Sequence, residues 1–448
     1  MYQKTVLHNG VSLITERSQS RTVSFGIWID VGSRDEDQGS CGCAHFVEHM
    51  LFKGTASRDA ASIARELDRL GGQANAFTSK EYTCLYGTVL DRQLPQLVAL
   101  LSDLFLFSLY PEHEVERERL VILQEIGMVQ DTPEDLIHDL FAGVLWEGHP
   151  LGRPVLGQTE GVATMTRTRL QKFMRRGYVP GRVLIAAAGN VDHDELVGML
   201  APMGAFASVP SAADAGLIHH QQGLNRTPPV KRGLNRALVR QLPTPLPAKI
   251  IVQPKRLEQA HVLLGTYGLP ASSEARYAMA LLSTILGGNM SSRLFQEVRE
   301  KRGLAYSIYS FVDAASDSGA VGIYAGIGNE AVNEVMELIS QVIGDICAGG
   351  ITNDELRRAQ DYTRAGVYLA EESMEARMMR LAKNELTLGR YVTIDEVESA
   401  LSQVGVDELT ALAADIFAKP LAGVVLGPVR TTDFRPDPNL VGGENDDD

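Results

Sequence analysis

Along the first half of the chain, segments where apolar and polar residues alternate take turns with segments of helical spacing. Val6-Leu7 and Val11-Ser12-Leu13-Ile14 flank Asn9-Gly10, a dipeptide suited to the left-handed backbone of a tight hairpin. Residues 22–31 alternate like a strand. From 60 to 70 the apolar spacing is helical and stops at Gly71-Gly72, where glycine accepts the left-handed cap. Residues 73–78 and 82–90 read as strands, and 93–106 and 112–130 as helices. The second of these helices is entered at Pro111, a good first-turn residue. A strand over 183–188 closes this half.

Between about 208 and 248 the pattern breaks. Pro228, Pro229, Pro243, Pro245 and Pro247 interrupt regular structure, and Gly-Leu-Asn-Arg occurs twice, at 223–226 and 233–236. This stretch predicts an interdomain linker. The second half then repeats the grammar of the first: strand 260–267, helices 273–286 and 291–301, strands 306–312 and 320–327, helices 331–347 and 353–388, and a last strand 423–427. The expected fold is α+β, with two tandem homologous domains, each a mostly antiparallel sheet packed with helices. Their expected limits are 1–207 for an N-terminal metal-binding domain and 249–434 for a C-terminal domain without metal ligands. The acidic tail is 435–448.

Composition narrows the functional classes. The chain has 448 residues and a formal net charge of −14, which argues against nucleic acid as a partner. No basic segment followed by an apolar run opens the chain, and no stretch approaches a membrane-spanning length. Cys41, Cys43, Cys84 and Cys347 read as thiols of a reducing cytoplasm. His219-His220 in the linker reads as solvated.

The sharpest chemical signal is His45-Phe46-Val47-Glu48-His49. On a helix, positions i, i+3 and i+4 share a face, so His45, Glu48 and His49 point the same way and Phe52 extends that face. Two imidazoles one turn apart can reach one zinc ion, with the carboxylate beside its water. The alternative is a histidine pair on a wet surface. The flanking apolar residues favour a partly buried helix, where such groups are costly without partners. A catalytic zinc needs a third ligand, and the helix over 112–130 offers Glu118 and Glu125, nearly two turns apart on one face with Val121, Ile122 and Val129. An exposed, charged first turn explains Glu118 equally well. It explains Glu125 poorly, because Glu125 lies among apolar residues.

These residues resemble the metal signature of the pitrilysin family, which includes mitochondrial processing peptidase and insulin-degrading enzyme. The resemblance extends over residues 45–55, 71–78, 118–125 and 150–157, and resumes in the second half. It implies one Zn2+ per chain on His45, His49 and Glu125, Glu48 as general base, and Glu118 as a carboxylate supporting a ligand. It implies that the strand carrying Asn75, Ala76 and Phe77 binds substrate backbone, with Phe52 lining a pocket. Arg299 and Tyr306 match the family's arginine–tyrosine pair, two donors for the substrate carbonyl. The alternative is a helix C-terminus complemented by Arg299 with Tyr306 in the core. Asp135 and Asp139 either recognise a basic residue before the cut or solvate a helix starting at Pro133. The sequence departs from the family in having only Gly287-Gly288-Asn289 where the processing enzyme's non-catalytic subunit has a long glycine-rich loop, and in its longer linker.

The resulting expectation is a cytoplasmic zinc metalloendopeptidase that cuts peptides or unfolded segments in an enclosed chamber. A homodimer is expected, with Arg299 and Tyr306 of one copy serving the zinc of the other. Two rivals are a non-catalytic core-type subunit and a subunit of a heterodimeric processing peptidase.

Overall fold

The structure, a computed structural model, describes residues 1–204, 206, 240–245, 249–419 and 421–430. Of the expected linker only 240–245 fall among these, and the acidic tail lies outside them.

The chain forms two compact units. The first comprises Met1–Leu123, Val155–Arg240 and Glu371–Tyr391. Its sheet contains β1 (Tyr2–Val6), β2 (Ser12–Arg17), β3 (Thr22–Ile29), β4 (Gln73–Thr78), β5 (Thr83–Leu90) and β6 (Val183–Gly189), in the order β1-β2-β6-β3-β5-β4. All pairs are antiparallel except β2 with β6. The hairpin turns at Asn9-Gly10 as the sequence predicts, with Gly10 at φ +98 and Val6 opposite Ser12. One face packs against α3 (Leu94–Phe107), and α1 (Cys43–Leu51) lies against β4. The other face, with Ile14, Trp28, Cys84 and Leu184, is covered by the helix Met374–Leu388 through Met378, Leu381 and Leu386. Contact there is close: a Cβ on Gly26 would lie 2.8 Å from Met378 Sδ.

The second unit comprises Gln124–Pro154, Gln241–Ala370 and Val392–Asp448. Its strands are β7 (Ile250–Pro254), β8 (Ala260–Gly268), β9 (Ala305–Ala314), β10 (Gly319–Ile327) and β11 (Ala422–Gly427), in the order β7-β11-β8-β10-β9, with only β7 and β11 parallel. Taken in chain order, β2 to β6 of the first unit and β7 to β11 of the second follow one topology. That is the expected pair of homologous, mostly antiparallel domains. On one face sit the helices Arg276–Ser283, Val332–Cys347 and Val406–Phe417. On the other, α5 (Pro133–Leu145) packs Ile137, Phe141 and Leu145 against Leu263, Val424 and Leu426. Contact is close here too: a Cβ on Gly265 would lie 2.7 Å from Phe141.

The units are thus not bare sequence halves, because 124–154 joins the second and 371–391 the first. This bears on one expected element. The single helix over 353–388 is two, Asn353–Glu371 and Met374–Leu388. The break falls where Ser373 caps the second helix by accepting from Ala376 N at 3.2 Å. Ion pairs then hold the second helix to the first sheet: Glu16, 5% exposed, takes Arg377 at 3.0 Å and Arg380 at 2.9 Å. The expected helices 273–286 and 291–301 carry π-type segments at Thr284–Gly288 and Phe295–Glu300. The four cysteines form no disulfide, and among the described residues no helix is long and apolar enough to cross a membrane.

Candidate metal centre

The helix α1 follows directly from its sequence. Gly42, at φ +94, turns the chain into it. The carboxylate of Glu36, itself 4% exposed, accepts from Gly42 N at 2.9 Å and Ala44 N at 2.7 Å. It thereby satisfies N–H groups of the first turn and places negative charge at the positive end of the helix. Ala44, Phe46, Val47, Met50 and Leu51 are buried and fix the rotation of the helix. His45, Glu48 and His49 are left half-buried on the remaining face. The two imidazole rings stand 4.6 Å apart at 69°.

The third element is α4 (Glu112–Asp131). Val115, Ile122 and Ile126 anchor it in the core, together with Glu118 at 5% exposure. Val121, expected on the buried face, is 39% exposed. It sits a quarter turn behind Ile122, beyond the edge of the stripe. The contact boundary between units passes between Leu123 and Gln124, inside this continuous helix. Glu125 is therefore carried by the same rigid rod as Glu118. One ligand atom each from His45, His49 and Glu125 lies within 4.8 Å of the others.

The electrostatics suit a cation. Burial pushes the His45 imidazole down to about 4, with His49 adding to the effect, so His45 is neutral at pH 7 with a lone pair to donate. His49 Nδ1 lies 2.9 Å from Glu118 Oε2. A carboxylate only accepts, so Nδ1 carries the proton and Nε2 is left as the donor atom. Lys53 Nζ meets the other oxygen of Glu118 at 2.6 Å. Burial opposes the charge of Glu118, but the hydrogen bonds from His49 and Lys53 outweigh it and hold the carboxyl below its usual range. Two neutral imidazoles and a carboxylate make the donor set of a catalytic zinc, which keeps a fourth position open at metal–ligand distances of about 2.0–2.2 Å. The residues fit that ion.

The other predicted residues fall as follows. Phe52 is half-buried at the exit of α1. Asn75, Ala76 and Phe77 lie on β4, which among the described residues pairs only with β5 and ends the strand order of its sheet. Ala76 N donates to Asn75 Oδ1 at 2.9 Å, so this edge donor is covered by its neighbour's side chain. Phe77 packs edge-on to Trp28 at 5.7 Å. Asp135 and Asp139 stand on α5 in the second unit, Asp135 exposed and Asp139 half-buried. Arg299 and Tyr306 also belong to the second unit. The Arg299 guanidinium lies 5.1 Å over the Tyr306 ring, and Tyr306 is 80% exposed, so it is no core residue.

Sequence reasoning missed three residues. Thr78 Oγ1 donates to Glu48 Oε2 at 2.6 Å, Lys53 holds Glu118, and Glu36 caps α1. Lys53 carried a signal, since it lies one turn beyond His49 on the same face. Thr78 and Glu36 carried none, because their partners are 30 and 6 or 8 residues away.

Residues 12–159 match the model of the insulinase peptidases, peptidase family M16, and residues 164–362 match that of the peptidase M16 inactive domain. The chain is 39% identical over 429 residues to an uncharacterised zinc protease of Streptomyces coelicolor, spanning 96% of this chain and 90% of that one. It is 36% identical over 429 residues to an uncharacterised zinc protease of Bacillus subtilis, spanning 96% and 98%. Among solved structures, a protease from Helicobacter pylori superposes with a TM-score of 0.84 at 20% identity, covering 96% of this chain and 99% of that one. A peptidase M16 inactive domain from Pseudomonas fluorescens superposes equally well, covering 96% and 98%. At that identity the structural likeness concerns the fold.

Proposed function

The chain belongs to the insulinase family of peptidases, peptidase family M16, and from that premise we propose that it is a zinc endopeptidase of peptides and unfolded protein segments. The convergence of His45, His49 and Glu125 within 4.8 Å carries the reading. His45, His49 and Glu125 would hold a zinc ion, which when bound would supply a Lewis acid for the scissile carbonyl and for activation of water. Glu48 takes the proton of the attacking water at its carboxylate and passes it to the leaving amine nitrogen. Thr78 Oγ1 donates to one carboxylate oxygen of Glu48 and so fixes the orientation of the base. Glu118 holds the His49 ring, and Lys53 holds Glu118.

The substrate adds as a strand along Asn75, Ala76 and Phe77 of the edge strand β4, its side chain after the cut against Phe52. Asp135 and Asp139 attract a basic residue before the cut. Arg299 and Tyr306 come from a second copy of the chain, donating to the carbonyl oxygen as charge develops, and the homodimer encloses the chamber. The cysteines without disulfides favour a reducing cytoplasm. Retention of all three ligands and the base weighs against a non-catalytic core-type subunit. Retention of Arg299 and Tyr306 weighs against dependence on a different, metal-free partner.

The test is Glu48→Gln. The variant is expected to keep its zinc, measured by atomic absorption, and to lose roughly 10²–10⁴ in the rate of peptide cleavage. Wild-type rates in that variant would remove Glu48 as base, and a zinc-loaded wild-type chain that cuts no peptide would return the non-catalytic reading.

A further inference from the structure

Beneath the metal helix lies a buried set of ion pairs that the mechanism does not use. Arg240, itself part of the first unit, presents its guanidinium two-pronged to Asp35, with Nε to Oδ1 at 3.0 Å and a terminal nitrogen to Oδ2 at 2.8 Å. The same nitrogen meets Asp30 Oδ1 at 3.1 Å and the backbone carbonyl of Glu81 at 2.8 Å, and the other terminal nitrogen lies 3.5 Å from the Glu81 carboxylate. Arg34, its side chain 1% exposed, takes Glu81 Oε1 at 2.7 Å. None of the side chains around Arg240 is more than 12% exposed.

What Arg240 grips is a short loop with two further attachments. Ser33 N and Arg34 N donate to Ser79 O at 3.1 Å and Lys80 O at 2.7 Å, in the turn that follows Thr78. The fit is tight, since a Cβ on Gly32 would meet Ser79 O at 2.4 Å. At its far end the loop supplies Glu36, which holds the start of α1. One loop therefore fixes both partners of the 2.6 Å bond between Thr78 and Glu48: the helix carrying the base and the strand end carrying the hydroxyl.

We propose that Arg240 is a positioning residue for the reaction: by holding Asp30, Asp35 and Glu81 together it keeps the loop over 30–36 in place, and through that loop it keeps Glu48, His45 and Thr78 in register. The proposal rests on the zinc-peptidase reading. The energetic logic is that of a buried charge set. Asp30, Asp35 and Glu81 are paired with Arg240, and Glu81 also with Arg34, so removing the Arg240 guanidinium leaves buried carboxylates under-compensated and the loop moves to find water. Burial opposes the charge of Arg240, but the Asp35 hydrogen bonds and the charges of Asp35, Asp30 and Glu81 hold it above its ordinary value. Lysine keeps the charge but loses the fork.

The test compares wild type with Arg240→Lys and Arg240→Ala, with Arg176→Ala as a control that removes an exposed ion pair to Asp37. Circular dichroism selects a temperature at which each chain is folded. Kinetics on a fluorogenic peptide and zinc release to a chelator are then measured at that temperature. In Arg240→Lys, kcat falls by about 10²-fold, the cost of an ångström-scale misplacement, while KM stays within about twofold and zinc release quickens. Guanidinium ion restores part of the kcat of Arg240→Ala if that variant folds, and Arg176→Ala behaves as wild type. A folded Arg240→Lys with wild-type kcat and wild-type zinc release overturns the proposal, and so does a loss confined to melting temperature. If wild type itself cuts no peptide, the peptidase reading fails separately. Zinc release then decides alone: faster from Arg240→Lys sustains the positioning role, and equal rates overturn it.

Discussion

The connection between β3 and β4 and the connection between β8 and β9 occupy the same place in one topology, and they carry different chemistry. Each leaves the middle of its sheet and returns as the edge strand. The first, residues 30–72, contains Glu36, both histidines and Glu48. The second, residues 269–304, contains no histidine at all, and brings the chain to Arg299 and then to Tyr306 on its own edge strand. Strand order gives each unit an edge strand. The connection decides which side chains stand beside it.

The largest effect should come from breaking the first connection's advantage at its remote ligand. Glu125→Ala removes the only ligand that α1 does not supply. Zinc content should fall below one-tenth per chain and peptide cleavage by more than about 10³-fold, because two imidazoles alone do not make the three-ligand site that a catalytic zinc requires. Glu118→Gln should lie well below that, weakening zinc by roughly 10–100-fold, since it loosens the His49 ring without removing a donor. Glu297→Ala in the second connection should leave zinc unchanged. If Glu125→Ala held zinc as wild type does, the contrast between the two connections would be lost.

The next effect probes the second connection. Arg299→Ala and Tyr306→Phe should each lower kcat by about 10²–10³-fold, the scale of one lost donor to a developing oxyanion, with zinc content and melting temperature unchanged. The exposure of Tyr306 makes the last point reasonable, since a ring 80% exposed supports little of the core. Mixing Arg299→Ala with Glu48→Gln should restore activity if the pair serves a second copy. No recovery despite subunit exchange counts against the homodimer.

Most of this was legible in the sequence where the signal is local. The pentapeptide at 45–49 reads on one helical turn, and Gly71 ends its helix at φ +61 where the pattern breaks. Strand bounds such as Gln73–Thr78 follow from a period of two. What was not legible depends on pairs distant along the chain. Nothing near Thr78 announces Glu48, and nothing near Arg240 announces Asp35, which lies 205 residues away. The break at Ser373 was hidden by helix-forming residues on both sides, although serine at a cap is a weak local signal. The exchange of 124–154 and 371–391 between the units is set by apolar faces that find their sheets only in the folded chain.

The smallest expected effect separates two helices, Cys43–Leu51 and Asn353–Glu371, by pH in the zinc-free chain. Burial, with His49 beside it, brings the folded pKa of His45 from 6.5 to about 4. Between those values the unfolded chain takes up the proton and the folded chain does not, so stability falls as pH drops from 6.5 and levels off below 4. At pH 5 this amounts to at most about 2 kcal/mol, since a tenfold change in proton activity is worth about 1.4 kcal/mol. The second unit carries His138 and His261, whose burial also lowers their pKa, but on its helix Asn353–Glu371 sits a device of opposite kind, Glu355, paired with Arg293 at 2.7 Å. Burial opposes the Glu355 charge, but the hydrogen bonds from Arg293 and Thr352 bring its pKa from 4.5 to about 2. That contribution is essentially complete well above 4.5, is lost progressively as pH falls from 4.5 to 2, and is therefore largely retained at pH 5. Moving from pH 7 to pH 5 should therefore loosen the helix Cys43–Leu51 and spare Asn353–Glu371, read as amide exchange corrected for intrinsic rate. His45→Gln should abolish the difference. Equal loosening of both helices, or none in either, would mean that the imidazole does not set the acid sensitivity of the first unit.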